Sequence, residues 1–181
     1  MDDERFAGVL ASAIEGAEEA FAELWRDGAP AVQRYLALLS PSMAEDLASE
    51  TWLQVARDLR RFRGSYSDFR AWVFAVARNR ATDHHRSRAG RGLEVPSSSV
   101  PDRPGAPDPA DVTMETIATE SALALIATLP ADQAEVVLLR VVAGLDVKNV
   151  SAIVRKRPGT VRVLAHRGLR TLAERLGTEP L

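Results

Sequence analysis

The 181-residue sequence contains no cysteine, which excludes disulfide bonds and metal sites built from thiolates. It also lacks any apolar run near the roughly 18 residues that a membrane-spanning helix requires. The chain starts with the acidic residues Asp2, Asp3 and Glu4, whereas a secretory signal starts with basic ones. We therefore expect a cytoplasmic protein that does not insert into a membrane.

The formal net charge of −2 hides a strong segregation of charge along the chain. Residues 1–59 carry 4 basic and 12 acidic side chains, residues 60–92 carry 9 and 2, residues 93–135 carry 1 and 8, and residues 136–181 carry 9 and 3. Two basic blocks therefore each follow an acidic one. This pattern favours two separate contacts with a polyanion.

Residues 89–111 separate two regions of helical pattern. This segment holds five of the ten prolines, three glycines and a run of three serines. Such a composition cannot bury enough apolar surface to offset the entropy of ordering it, so we predict a flexible linker. The predicted fold is all-α, with two small helical domains, residues 1–88 and 113–177, joined by a linker over residues 89–112.

Two local features of the first domain can be predicted from turn and cap chemistry. The helical pattern over residues 21–39 should be interrupted near Gly28 and Pro30. Ser42 and Glu45 have the spacing of a capping box, which would open the next helix.

A helix over residues 44–59 would have two different faces. One face is apolar and predicts a core contact; its residues are Leu47, Ala48, Thr51, Trp52, Val55 and Leu59. The opposite face sets Leu53 between the carboxylates of Asp46 and Glu50 and beside Arg57. An exposed leucine among carboxylates is typical of a docking surface for a basic partner.

The following segment, residues 60–92, contains nine arginines with aromatic residues between them. These aromatic residues are Phe62, Tyr66, Phe69, Trp72 and Phe74. A loop from Arg61 to Phe69 should lead into a helix from near Ser67 to about Ser87. A solvated basic face could account for the arginines alone, but the interleaved rings favour single-stranded nucleic acid, whose bases stack on aromatic side chains.

The second domain ends in a helix-turn-helix pattern. Residues 134–142 could form a buried strand, but their length and the lack of a partner strand favour a helix. Asp146 can cap a short helix, a basic turn follows at residues 155–157, and Pro158 opens a second helix. The outward side of that second helix consists of Arg162, Val163, His166, Arg167 and Arg170. A helix that presents such residues is suited to read bases in the major groove.

Both domains resemble bacterial RNA polymerase sigma factors of the sigma-70 family, in particular the extracytoplasmic function (ECF) subgroup. The residues that carry the resemblance in the first domain are Ala44, Glu45, Asp46, Leu47, Glu50, Thr51, Phe62, Phe69, Arg70, Ala71, Trp72, Ala77, Arg78, Asn79, Asp83 and His84. Those in the second domain are Leu129, Pro130, Leu139, Arg140, Gly144, Leu145, Gly159, Thr160 and Val161.

The resemblance implies a role for each set of residues. Docking on core polymerase would use Asp46, Glu50, Leu53 and Gln54. Recognition and melting of the −10 element would use Arg61, Arg63, Tyr66, Phe69, Arg78, Asn79, Arg80, Asp83 and His84. Reading of the −35 element would use Arg157, Thr160, Arg162, Val163, His166 and Arg167.

The implied partners are core RNA polymerase, through the clamp coiled coil of its largest subunit and through its flap, promoter DNA and, as is common in the group, an anti-sigma factor. The chain departs from the family pattern at Arg155, where glycine is common, at Lys148 and Asn149, where acidic residues are common, and at Leu164, where arginine is common. These departures bear on the promoter sequence that is read rather than on the fold.

Two other functions were weighed. A helix-turn-helix regulator that never joins polymerase would explain the second domain but leave residues 44–88 without a role. A metal-dependent nuclease would need Asp83, His84 and His85 to share one ion, yet adjacent residues on a helix point about 100° apart. We therefore expect no enzymatic activity, no catalytic residues, no metal site and no cofactor.

Overall fold

The computed structural model describes residues 1–90 and 114–177, with the backbone alone for residue 90 and for residues 114–120. The described residues form two compact units, one on each side of the gap. Within them all regular structure is helical, which confirms the all-α fold class. The predicted linker, apart from residues 89 and 90, lies outside the described residues.

The first unit is a four-helix arrangement. Its helices are α1 (Asp3–Glu15), α2 (Glu18–Leu39), α3 (Ala44–Asp58) and α4 (Tyr66–Gly90), with 3-10 turns at Pro41–Met43 and Leu59–Arg61 on either side of α3. The core takes one apolar stripe from each helix: Phe6, Leu24, Val32, Tyr35, Leu36, Leu47, Val55, Phe69, Phe74 and Ala77. Full burial of an aliphatic or aromatic side chain contributes about 1.5–3 kcal/mol, so this shared core holds all four helices together.

Two predictions for the first unit are wrong. The helix α2 continues through Gly28 and Pro30 without interruption. Leu24 and Val32 lie on either side of the proline and are both fully buried, which favours a continuous helix despite the lost amide hydrogen bond. Ser42 does not cap α3, because it lies inside the 3-10 turn that leads directly into that helix.

The second unit contains the other four helices. These are α5 (Met114–Ala127), α6 (Ala131–Val137), α7 (Val147–Val154) and α8 (Pro158–Arg175), and a π-helical turn, Leu138–Val142, extends α6. The run at residues 134–142 is therefore helical, as predicted, and its burial reflects a central position rather than a strand. The buried apolar residues are Ile126, Leu129, Val136, Val137, Leu138, Leu139, Leu145, Val150, Ile153 and Val161.

The helix pair α7–α8 has the predicted caps. Asp146 accepts a hydrogen bond from the backbone amide of Asn149 at 2.7 Å, and Pro158 is the first residue of α8. A Cβ at Gly168 would lie 2.6 Å from Cγ2 of Val137. Because real Cβ atoms do not approach other atoms so closely, glycine at this position sets the spacing between α6 and α8.

Candidate nucleic-acid interfaces

The helix α8 separates a buried face from an exposed one. Val161 and Gly168 face the interior of the unit. The six residues predicted to read DNA are all exposed: Arg157, Thr160, Arg162, Val163, His166 and Arg167. Val163 keeps 48% of its surface accessible. The structure thus places five of these residues on the exposed side of α8 and the sixth, Arg157, at its N-cap.

Among the described residues, the guanidinium groups of this face have no partner within the protein. In the part of the chain that the structure describes, no hydrogen bond or ion pair joins Arg157, Arg162 or Arg167 to another side chain. Further along α8, by contrast, Arg170 pairs with Glu174 at 2.9 Å. A cation that is not neutralised within the fold is available to a phosphate or a guanine edge.

The turn before α8 has an unusual backbone. Arg155 adopts a left-handed conformation with φ of 56°, at the position where the sigma family commonly has glycine. The turn is closed on both sides: the Ser151 hydroxyl donates to the Lys156 carbonyl, and Lys156 Nζ lies 2.8 Å from Asp132 Oδ2. Arginine is therefore accommodated here at a cost of about 1–2 kcal/mol.

The basic face of α4 is more heavily bonded. Arg80 Nη2 donates to Gln54 Oε1 at 2.7 Å, and Asp83 lies 3.7 Å from Arg86 in an ion pair. The ring of His84 packs edge-on against His85 at 5.9 Å. The other two candidates on this helix differ in exposure, since Asn79 is exposed and Arg78 is half-buried.

The loop before α4 is shorter than predicted. The Leu59–Arg61 turn precedes it and α4 already begins at Tyr66, which leaves residues 62–65. Ser65 and Asp68 form a reciprocal cap: the Asp68 carboxylate accepts from the Ser65 amide at 3.0 Å, and the Ser65 hydroxyl accepts from the Asp68 amide at 3.2 Å. This S-x-x-D spacing is visible in the sequence but was missed in favour of Ser42 and Glu45.

Gly64 and Arg63 define the path of this loop. Gly64 has φ of 154°, and a Cβ there would lie 2.8 Å from Cβ of Asp68. Arg63 Nη1 donates to the carbonyl oxygens of Arg60 at 2.9 Å and Phe62 at 2.6 Å, so its side chain folds back over the loop. Arg61 is exposed and lies 3.7 Å from Asp58.

The structure corrects the assignment of Phe69 to base capture. Its side chain is 3% exposed and packs against Phe6, Phe62 and Trp72, with ring centroids 5.3, 5.5 and 5.9 Å away. A buried ring that contacts three other aromatic rings cannot stack on a base unless the core of the domain is disrupted. The predicted loop, Arg61 to Phe69, overlapped the predicted helix, and Phe69 belongs to the apolar stripe of that helix rather than to the loop.

Tyr66 is held by groups from two preceding helices. Its hydroxyl donates to Asp27, its backbone amide donates to Asp3 Oδ1 at 2.9 Å, and Arg70 lies 5.6 Å from the ring centroid. Burial, followed by the hydrogen bond and charge of Asp27, raises the pKa of Tyr66 to about 12, against an opposing effect of Arg70. The phenol therefore stays protonated and acts as a donor.

The predicted docking face of α3 is exposed for three of its four residues. Asp46 and Glu50 are exposed, and Leu53 leaves 57% of its surface accessible. Gln54 is different, because it is half-buried and bonds both to Asp58 and to Arg80. It therefore links α3 to α4, a role that helical periodicity did not reveal.

One histidine of the alternative nuclease site, His85, is bonded to the end of another helix. His85 Nε2 lies 2.8 Å from Ser40 Oγ and 3.1 Å from the Leu39 carbonyl oxygen, at the end of α2. Among the described residues, no three histidine, aspartate or glutamate side chains form a group that could hold a metal ion.

None of the described helices is both long and apolar enough to cross a membrane.

Comparison with known proteins places both units in one family. The sigma-70 region 2 model matches residues 24–91, and the sigma-70 region 4 model matches residues 119–172. The ECF RNA polymerase sigma factor SigD of Mycobacterium tuberculosis is 32% identical over 183 residues, covering 97% of this chain and 86% of SigD. BldN of Streptomyces coelicolor, also named as an ECF sigma factor, is 32% identical and covers 97% of this chain and 67% of BldN.

Two solved structures share the fold. The sigma factor RpoE of Bartonella quintana, solved with the anti-sigma factor NepR, matches with a TM-score of 0.65 at 24% identity, covering 88% of this chain and 98% of RpoE. CnrH, solved with the cytosolic domain of CnrY, matches with a TM-score of 0.61 at 18% identity, covering 93% and 95%. On the sequence relatives and the two matched regions, the chain belongs to the ECF RNA polymerase sigma factors.

Proposed function

We propose that the two units divide promoter recognition between them while the protein is bound to core RNA polymerase. The exposed face of α8 contacts the −35 element, and α4 with its preceding loop contacts the −10 element. The observation that carries this proposal is the set of six exposed residues on α8 and at its N-cap, three of them arginines without an intramolecular partner in the described part of the chain. A helix-turn-helix regulator acting without polymerase would leave α3 and α4 unused.

For the −35 element, the expected contacts are Arg157, Thr160, Arg162, Val163, His166 and Arg167. Arginine recognises guanine by two hydrogen bonds in the major groove, and the apolar Val163 side chain can contact a thymine methyl group. The uncompensated charge also attracts the DNA backbone before any base is read.

For the −10 element, the expected contacts are Arg61, Arg63, Tyr66, Arg78, Asn79, Arg80, Asp83 and His84. Stacking on a protein aromatic ring is worth roughly 1–3 kcal/mol per base, comparable to the few kcal/mol needed to unpair one. With Phe69 in the core, Tyr66 is the candidate ring at the loop, and the arginines neutralise phosphates of the separated strand. Strand separation is then driven by binding, with no chemical step and no enzymatic activity in the sigma factor itself.

Docking on polymerase is assigned to the α3 face of Asp46, Glu50 and Leu53, with Gln54 at its edge. Leu53 supplies an apolar centre and the two carboxylates supply a charged rim, an arrangement typical of protein interfaces. Docking would hold both DNA-binding units on one assembly, so that two weak contacts reinforce each other. The clamp coiled coil of the largest subunit is the proposed site for this face, and the flap is the proposed site for the second unit. The protein would act in the cytoplasm, where it would meet core polymerase.

The test of DNA reading compares two arginines on the same helix. If Arg162 makes a bidentate base contact, Arg162→Ala should weaken the binding free energy for the −35 element by about 1–3 kcal/mol. Footprinting over a range of protein concentrations measures this change. Arg170→Ala removes the same charge from α8 but breaks only the pair with Glu174, and should have a smaller effect. Equal footprints for wild type and Arg162→Ala would count against the assignment.

The docking test uses the double variant Glu50→Ala with Leu53→Ala. It should lower the affinity for core polymerase without a change in helical content by circular dichroism, because both side chains are exposed. Glu45→Ala removes an exposed carboxylate from the first turn of the same helix and is the control. If the double variant binds core polymerase as tightly as the control, the docking face is assigned wrongly.

The anti-sigma factor NepR bound to RpoE and the CnrY domain bound to CnrH suggest a further partner. We infer that an anti-sigma protein also covers exposed apolar side chains here, Leu53 among them. Leu53→Ala should then weaken that complex as well as the complex with core polymerase. A complex with such a protein that tolerates Leu53→Ala would contradict this part.

A further inference from the structure

The N-terminal helix α1 contacts the loop proposed to meet the separated strand. Phe6 is almost completely buried, and its ring centroid lies 5.3 Å from that of Phe69, 5.5 Å from Tyr66 and 6.4 Å from Phe62. One side chain of α1 therefore touches a ring in the loop, the first residue of α4 and a residue one turn into α4. All of α1 precedes the segment that matches sigma-70 region 2, residues 24–91.

A second contact from α1 is polar. Asp3 Oδ1 accepts a hydrogen bond from the backbone amide of Tyr66 at 2.9 Å. The first amides of a helix have no partner within the helix, and a carboxylate there is also favoured by the helix dipole. Ser65 satisfies the amide of Asp68, so Asp3 serves a different amide of the same first turn.

Tyr66 is consequently fixed at three points before any DNA is present. Asp3 holds its amide, Phe6 packs on its ring, and Asp27 of α2 accepts from its hydroxyl. Gly64, two residues before Tyr66, has φ of 154°, a backbone conformation that other residues rarely adopt. A loop that is ordered before binding loses less conformational entropy when it binds, which leaves more binding energy for opening the duplex.

We infer that Asp3 and Phe6 are positioning residues for promoter opening, acting through Tyr66 and the loop at residues 62–65. This inference rests on the proposed role of that loop. The helix α1 is thus a functional extension of the −10-binding unit, although none of its residues is proposed to touch DNA.

The test uses Asp3 because substitution of the buried Phe6 would destabilise the whole unit. Asp3→Ala removes the acceptor for the Tyr66 amide, whereas Asp3→Asn keeps an oxygen at Oδ1. Glu4→Ala is a matched control, since Glu4 is an adjacent exposed carboxylate. Asp2→Ala is a second control: it removes the cap of α1 itself, which accepts from the Arg5 amide at 2.8 Å, without touching Tyr66.

Holoenzyme would be assembled from core polymerase and each full-length variant, on a promoter that the wild-type holoenzyme opens. Permanganate reactivity of unpaired thymines measures opening, and the −35 footprint and core affinity are measured beside it. Asp3→Ala should reduce opening about fivefold, the change in an equilibrium constant that follows from losing a typical helix-capping acceptor. Asp3→Asn should restore most of it, and the footprint and core affinity should not change.

Several outcomes would overturn the inference. If Asp3→Ala opens the promoter to the same extent as Glu4→Ala, the hydrogen bond between Asp3 and the Tyr66 amide has no part in opening. If Asp3→Ala opens it to a greater extent, α1 hinders the loop instead. If Asp2→Ala lowers promoter opening as much as Asp3→Ala does, the loss reflects the stability of α1 and not the contact with Tyr66. Arg63→Ala separates the two levels of the argument: if it leaves opening unchanged, the role of the loop fails and the inference with it. If Arg63→Ala slows opening and Asp3→Ala does not, only the inference fails.

Discussion

The two basic helices α4 and α8 carry the candidate DNA contacts, and they differ in how strongly those side chains are tied to their own unit. Arg162 and Arg167 on α8, and Arg157 at its N-cap, are exposed and unpaired within the described part of the chain. On α4, Arg80 is bonded to Gln54, and Tyr66 is bonded to α1 and α2.

The difference suggests two ways to build a DNA-binding surface. The exposed side chains of α8 take no part in the core of the second unit. They can therefore be exchanged with little change in the free energy of unfolding of that unit. The surface of α4 is continuous with the core, so that a substitution there changes folding and binding together. The second arrangement suits strand separation, which needs a rigid shape to hold an unpaired base rather than a set of charges alone.

The largest expected effect tests whether the α4 surface depends on the core. Phe6→Ala should destabilise the first unit by about 3–5 kcal/mol, the usual cost of removing a buried phenylalanine side chain. All three tryptophans, Trp25, Trp52 and Trp72, lie in this unit, so their fluorescence in a urea titration reports on it alone.

The exposed Leu53→Ala is the matched control and should shift the fluorescence midpoint little. A Phe6→Ala midpoint equal to that of the control would break the comparison, because α1 would then not belong to the core.

A paired substitution compares the two surfaces directly. Arg80→Ala should destabilise the first unit by about 0.5–1.5 kcal/mol through loss of its hydrogen bond to Gln54. Arg162→Ala should leave the stability of the second unit within about 0.5 kcal/mol, as for most surface substitutions. In urea titrations, tryptophan fluorescence measures the stability of the first unit and circular dichroism measures that of the second. Equal stability changes for both variants would show that the surfaces do not differ in this respect.

A stabilising substitution is expected in the turn before α8. Arg155→Gly should stabilise the second unit by about 1 kcal/mol, because glycine adopts the left-handed conformation without the steric cost borne by arginine. For a unit of this size that corresponds to a rise in Tm of roughly 4–8 °C.

Circular dichroism should show the rise in Tm while tryptophan fluorescence, which reports only on the first unit, stays unchanged. Arg157→Gly, at the end of the same turn but with an extended backbone, is the control. A fall in Tm for Arg155→Gly would mean that the Arg155 side chain makes a compensating contact.

The smallest effect concerns pH. The pKa of Tyr66 is raised from 10 to about 12 in the folded protein, so folding favours the neutral phenol. The stability that this contributes is fully present below pH 10 and is lost as the pH rises towards 12. In urea titrations across this range, wild type should lose more stability than Tyr66→Phe; parallel losses would show that folding does not raise the pKa of Tyr66.

The sequence predicted the helical class, the family and the surface of α8, because each depends on short-range patterns. Helical spacing alone separates Val161 and Gly168 from the six outward residues, and the family is confirmed by SigD and BldN. Helical spacing also places Phe69 on the apolar stripe of α4. Its ring contact with Phe6, more than sixty residues earlier in the chain, could not be predicted in this way, because no local pattern links the two.

The same limit explains the other differences. The bond between Arg80 and Gln54 joins α3 to α4, so it follows from how those helices cross and not from either helix alone. The continuity of α2 through Pro30 likewise reflects burial on both sides of the proline. The Ser65 and Asp68 cap, in contrast, is a local S-x-x-D pattern that the sequence alone contains.

Gly168 has a consequence for how this sigma factor could change its promoters over evolutionary time. Since there is no space for even one methyl group between Gly168 and Val137, the axis of α8 cannot shift without rebuilding the interior. If the outward side chains of α8 read the promoter as proposed, new target sequences are most readily acquired by exchanging those side chains on a helix that stays in place.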